Sequence, residues 1–294
     1  MFSVRVYRVY GDQKKDSIME IKVGVLDDNI AGVPPFRAEH GLSVWLEVDG
    51  RSFLWDCGQT DLAVFNARVL GIDLRLIEGI GISHGHLDHA GGLLAVLQAT
   101  GRKKLYAHPD AWLPRYLVAG NARVFAGIVY RFDAIESMCE SVVLSREPVE
   151  VMPGVSLTGE VPRITDFEGP EPNLFIEKDG NLIADPLMDD QALVVDTPDG
   201  AVVLTGCAHS GIVNILKHVI ATSSSGRIRA VVGGTHLGMG APVSRVEVTM
   251  DHLEEIAPDK MIFNHCTGSV VMSRMLDRFK SSFIPGVTGL VTEL

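Results

Sequence analysis

Gly81-Ile82-Ser83-His84-Gly85-His86-Leu87-Asp88-His89-Ala90-Gly91-Gly92 is the stretch on which the reading of this chain turns. Three imidazoles and a carboxylate fall within six residues, after an apolar run (Gly79–Ser83) that reads as a strand and before a helical run from Leu93. Imidazole and carboxylate are good ligands for zinc and similar divalent ions. At a strand end His84 and His86 point to one side, where one ion can take both. The turn then carries Asp88 and His89 round to a second ion, and Asp88 also gains from the helix N-terminus. Only 10 His occur in 294 residues, so three in one hexapeptide argue against a scatter of unrelated surface histidines.

Outward from that hexapeptide, short β-type runs alternate with helical ones. Ile21–Leu26, Leu42–Val48 and Ser52–Trp55 read as strands, and Val48-Asp49-Gly50-Arg51 as the hairpin turn joining two of them. Asp61–Leu70 carries Leu62, Phe65 and Val69 at helical spacing, with Gly71 as its stop; Gly101 ends the helix after Gly92. The stretch from Trp112 to Pro148 reads as a helical or loop excursion, and Arg102-Lys103-Lys104 as a solvated turn. Strands are expected again at Val149–Val151, Val155–Thr158, Asn173–Glu177, Ala192–Asp196, Val202–Thr205, Ile228–Val232 and Lys260–Asn264. Helices are expected at Ile212–Ile220, Arg245–Ile256 and Ser269–Phe279. Ser223-Ser224-Ser225-Gly226 resembles a short flexible connector. Hairpin-linked strands dominate each half, which favours an α/β layered fold with two mixed sheets over one doubly wound parallel sheet. Residues 1–18 read as an N-terminal extension and 19–294 as a single domain.

Composition narrows the function. With 46% hydrophobic and 21% charged residues the chain is ordinary globular material, and its net charge of −11 repels phosphate backbones. No nucleic-acid partner is expected, and no membrane partner either, since no apolar stretch approaches the roughly 18 residues of a span. Cys57, Cys139, Cys207 and Cys266 lack C-x-x-C spacing and read as free thiols of a cytoplasmic protein.

The run H-x-H-x-D-H resembles the signature of the metallo-β-lactamase superfamily, and three further segments extend the likeness. Leu54-Trp55-Asp56-Cys57-Gly58-Gln59 resembles its early strand–Asp–Gly motif. Val203-Leu204-Thr205-Gly206-Cys207 and Phe263-Asn264-His265-Cys266 resemble its later strand–Gly–Asp/Cys and final His motifs. The resemblance implies a four-layer αββα sandwich with two mixed β-sheets. It implies His84 and His86 on one metal, Asp88, His89 and His265 on a second, and Cys207 where most members carry Asp. Asp56 is then the carboxylate that orients a ligand His. The implied cofactor is Zn2+, one or two ions, with Mn2+ or Fe2+ as alternatives; a thiolate favours zinc. The T-P-G-H turn that usually supplies one more His is replaced by Leu157-Thr158-Gly159-Glu160-Val161-Pro162-Arg163. Glu160 or His209 fills that place, and His209 offers the matching donor type.

A narrower likeness runs through Ala38–Ser43, Asn66–Leu74, Asp189–Leu193, Gly206–Gly211, Gly233–Leu237 and His265–Gly268. These segments look like the superfamily's dihydropteroate-synthase-related subgroup, whose members are commonly labelled 7,8-dihydropterin-6-methyl-4-(β-D-ribofuranosyl)aminobenzene-5′-phosphate synthases. The implied activity is metal-dependent hydrolysis of a phosphoester or related small-molecule substrate by a metal-bound hydroxide, with Asp88, His209 and His236 as the catalytic side chains. Asp88 would accept the water proton, and His209 or His236 would protonate the leaving group. Two alternatives stand beside it, a pterin-related transferase releasing pyrophosphate and a metal-binding protein with little catalysis. His40 reads as a pocket-mouth or turn residue, Asp189 and Asp190 as turn caps or site residues, and His108, His218 and His252 as ordinary. Assembly as a homo-oligomer stays open.

Overall fold

Alternating side chains along the central strands decide the layering. In Arg51–Trp55, Phe53 and Trp55 point one way and Leu54 the other; in Ala201–Thr205, Val202 and Leu204 oppose Val203. Each strand is therefore buried on both faces, which requires a sheet on one side and helices on the other. The computed structural model describes residues 19–294. The extension expected over 1–18 lies outside the described residues.

The first sheet has seven strands. In spatial order they are Val291–Glu293, Ile21–Asp27, Ser43–Val48, Arg51–Trp55, Gly79–Gly81, Lys104–Ala107 and Ser141–Leu144. Its early strands pair antiparallel and its later ones parallel. The second sheet also has seven, in the order Phe283–Pro285, Lys260–Phe263, Ile228–Gly233, Ala201–Thr205, Ala192–Val195, Val155–Leu157 and Val149–Met152. Phe53, Trp55, Leu193, Leu204 and Ile262 belong to one buried cluster between the sheets. Helices Leu62–Leu70, Leu93–Thr100 and Phe132–Met138 cover the outer face of the first sheet, and Ile212–Thr222, Val243–Ile256 and Ser269–Phe279 that of the second. This is the four-layer αββα sandwich with two mixed sheets.

Local signals explain most boundaries. Asp49 and Gly50 adopt φ of 50° and 78°, the left-handed pair a two-residue hairpin needs, and Gly71 (φ 75°) closes the first helix as its left-handed cap. Three expectations need correction. The Trp112–Pro148 excursion holds the strands Arg115–Ala119, Ala122–Phe125 and Ser141–Leu144 besides the helix Phe132–Met138. The first two join Leu174–Lys178 and Asn181–Ala184 in a third, antiparallel sheet of four strands. Lys104, expected in a solvated turn, opens a strand of the first sheet. Ser223–Gly226 is pinned rather than free: Ser224 donates from its N–H and its hydroxyl to Asp196.

Candidate metal centre

The strand Gly79–Gly81 ends just before the imidazole turn: the Ile82 N–H still donates to the Tyr106 carbonyl at 2.9 Å, and the chain then leaves the sheet. Gly85 makes the exit feasible, since a Cβ there would fall 1.9 Å from the Ala111 carbonyl oxygen. The Gly85 N–H donates to Asp189 Oδ2 at 2.7 Å, and Asp189 Oδ1 accepts from Arg115 at 2.6 Å. Arg115, itself buried, also pairs with Asp185 at 2.9 Å and donates to the Ala111 carbonyl. The turn bearing His84 and His86 is thus clamped from outside the first sheet. On its far side the helix Leu87–Ala90 carries Asp88 and His89.

Loops at the carboxyl ends of the parallel strands bring the other groups in. Asp56, Ala208, His236 and His265 all take positive φ, between 52° and 60°. Such conformations cost non-glycine residues about 1–3 kcal/mol and persist only where the surroundings impose them. Asp56 accepts from the Ser83 N–H and hydroxyl and meets His89 Nδ1, all at 2.7 Å. That is the orienting role expected for it. His265 is fixed by its N–H on Asp28 (2.7 Å) and its Nδ1 on Asn29 (2.9 Å).

The expected donors converge. The ligand atoms of Asp88, His89, Cys207 and His265 lie within 4.8 Å of one another, and so do those of His84, Cys207 and His209. Cys207 belongs to both groups. His86 Nδ1 lies 2.9 Å from His84 Nε2, and its ring is 4.9 Å from that of His209. Of the two residues read for the remaining place, His209 is the one that lies beside His84, His86 and Cys207. Glu160 faces elsewhere, accepting from Arg146 (2.7 Å) and pairing with His108 (3.1 Å). His236 touches the His209 ring at 4.2 Å and pairs with Glu171 at 3.0 Å. His40 stacks on His265 with its Nε2 3.2 Å from Asp88. Asp190 stands behind the site, accepting from the Ser210 N–H and hydroxyl.

The electrostatics suit a cation. Burial and neighbouring imidazoles hold His84 and His209 well below the usual histidine range, and burial with Arg115 takes His86 down to about 3. All three are neutral bases. Burial opposes a charge on His89, but Asp88 and Asp56 outweigh it and raise the group to about 9. Asp88 stays ionised despite its burial because His89 and His265 face it. Burial pushes the Cys207 thiol up. His86 Nε2 and both ring nitrogens of His209 are buried without a hydrogen-bond partner, and His265 Nε2 has Asp88 3.2 Å away. Buried polar atoms in a folded protein rarely go unpaired, and here the unpaired ones are imidazole nitrogens grouped with a thiol and a carboxylate. The donor set fits one or two divalent ions, zinc before magnesium.

Sequence reasoning missed Arg115, Glu171, Asp28 and Asn29. The acidic turn Asp27-Asp28-Asn29 after a strand was a usable signal for the last two; the Glu171 segment Pro170-Glu171-Pro172 carried none.

Fold and site define a class, and the comparisons agree with it. The chain belongs to the metallo-β-lactamase superfamily, whose family model matches residues 37–265. Among similar proteins is the 7,8-dihydropterin-6-methyl-4-(β-D-ribofuranosyl)-aminobenzene-5′-phosphate synthase of Methanocaldococcus jannaschii, 30% identical over 90% of this chain and 93% of that one. The crystal structure of Tm1679, described as a metal-dependent hydrolase of the β-lactamase superfamily, is 32% identical. It superposes with a TM-score of 0.80 over 93% of this chain and 99% of that one. Zn2+-bound PqqB from Methylobacterium extorquens shares the fold at 16% identity and a TM-score of 0.56, covering 93% of this chain and 100% of that one. Among the described residues no helix is long and apolar enough to cross a membrane.

Proposed function

We propose that this chain is a metal-dependent hydrolase acting on a phosphoester or related small-molecule substrate. His84, His86 and His209 would hold one ion, Asp88, His89 and His265 a second, with Cys207 adjoining both. Zinc is the ion the donors favour, with Mn2+ or Fe2+ as alternatives. What supports the reading is the convergence of six donors from distant parts of the chain into two groups sharing Cys207, with His86 beside them and with the His209 nitrogens and His86 Nε2 buried and unpartnered. An ion bound there supplies a water acidified from a pKa of about 16 to about 7 and a Lewis acid for developing negative charge. The residues do the rest. Asp88 accepts the proton released by the attacking water, and His236, braced by Glu171, faces the same cleft and delivers one to the leaving group; His209 is the alternative donor. Metal analysis of protein purified without a His tag, with a panel of phosphomonoester, phosphodiester and lactone substrates, tests the reading. Zinc-loaded protein inert towards all three would refute hydrolysis.

A second reading has one observation in its favour, the synthase relative's coverage of nearly the whole chain. In that reading the same donors activate a pyrophosphate leaving group while an aromatic amine attacks. Pyrophosphate release that requires the acceptor supports transfer, and release without it supports hydrolysis.

A further inference from the structure

The cleft over the metal donors has about 200 Å³ of volume. An engineered protein cavity of roughly 150 Å³ already encloses benzene, so a ring carrying one phosphoryl group fits here. Beyond the donors, with His40, His236 and Cys266 beside them, the wall consists of Leu117, Ala126, Leu174 and Met239, and Asn173 is the polar residue among these. Three of these come from the third sheet or its edges, the element that the two central sheets do not require. Leu117 and Met239 remain 37% and 53% exposed, apolar surface that a ligand would take out of water.

Equally telling is the charge of the wall. Among the described residues no lysine or arginine lines the cleft. Arginines packed around it are engaged inside the protein: Arg115 with Asp185 and Asp189, Arg163 on the carbonyls of His209 and Pro186, and Arg245 3.5 Å from Glu171. At the rim, His40 has one ring nitrogen near Asp88 and the other near Asn29. A second anionic group on the ligand would be pressed against leucine and methionine, in a chain of net charge −11, where the nearest cationic candidates, His236 and His40, already face Glu171 and Asp88.

We infer that the cleft, on the metal-centre reading above, selects a compact ester with a single anionic group, seated at the metal donors, and one aromatic or similarly sized apolar ring against Leu117, Leu174 and Met239. Substrates bearing a second phosphate are excluded. The test titrates the zinc-loaded full chain with methylphosphonate, phenylphosphonate and benzene-1,4-diphosphonate in a calorimeter. Phenylphosphonate should bind about tenfold tighter than either of the others, since covering one apolar side chain is worth about that factor. Leu117→Arg should reverse the order of phenylphosphonate and the diphosphonate by placing a guanidinium in the wall. Met239→Lys does the same from an exposed loop position should the first variant fail to fold. A preference under fivefold in either native comparison, or an order unchanged in both folded variants, overturns the inference. Zinc content measured beforehand separates the two levels. Protein that takes up no zinc overturns the centre and this inference with it, whereas loaded protein without the stated order overturns the inference alone.

Discussion

Asp189→Asn is the most informative single change the structure offers, because it alters no donor yet acts on two of them. Asp189 is fully buried and accepts from two N–H groups, that of Gly85 between His84 and His86 and that of Arg115. Asparagine preserves the volume but presents one oxygen and one NH2. Whichever way it faces, one donor meets another donor. A hydrogen bond to a charged group is worth about 1.5–3 kcal/mol, and breaking a buried ion pair costs about 3–5 kcal/mol. Arg115 retains Asp185 and two carbonyl acceptors, so the lower end applies, and the metal-free protein should lose about 2–3 kcal/mol in urea denaturation. Slackening the turn should also weaken zinc about 10- to 100-fold, the usual range for partners that orient ligands, as read by competition with a chromophoric chelator. If zinc affinity stays within twofold while stability falls, the clamp serves the fold alone and the argument for its role at the centre fails.

His86→Ala should abolish turnover and lower the bound metal per chain in elemental analysis; retention of either contradicts the assignment of that residue. Asp56→Asn removes the charged partner of His89 Nδ1 and should weaken the metal about 10- to 100-fold in the same chelator assay, with the fold retained by circular dichroism. Gly85→Ala drives a methyl group into the Ala111 carbonyl and should yield protein that is insoluble or metal-free on purification. Zinc binding at pH 7 should release about two protons, from His89 (raised to about 9) and Cys207, and none from His84, His86 or His209, which are already neutral. Affinity should accordingly rise with pH, less steeply above about 9 once His89 is neutral and only Cys207 still has a proton to lose, and calorimetry in buffers of different ionisation enthalpy counts the protons. A count near zero would mean that neither His89 nor Cys207 takes part.

Much of this was legible in the residues themselves. The two central sheets follow from apolar runs whose turns are marked by Asp49-Gly50 and Gly71, and local chemistry suffices to place them. His84, His86, Asp88 and His89 announce themselves because four ligand-type residues share six positions. The third sheet escaped notice for a physical reason. Asn173–Glu177 was legible as a strand, but Ala122–Phe125 and Asn181–Ala184 are exposed on both faces, so no inside–outside alternation marks them, and the pairing of Leu174–Lys178 with Arg115–Ala119 spans more than fifty residues. Arg115 went unseen with it. The choice between Glu160 and His209 turned on which one the fold ties up elsewhere, and neither Arg146 nor His108 is near Glu160 in the sequence.

Cys207 stands where the two donor groups overlap, and it arrives from the second sheet, as do His209 and His265, while His84, His86, Asp88 and His89 arrive from the first. An ion gripped by both sets would act as a rivet through the seam of the sandwich. On that reading its removal would loosen the mutual seating of the two halves of the polypeptide, and resistance to proteolysis and heat should fall when a chelator is added.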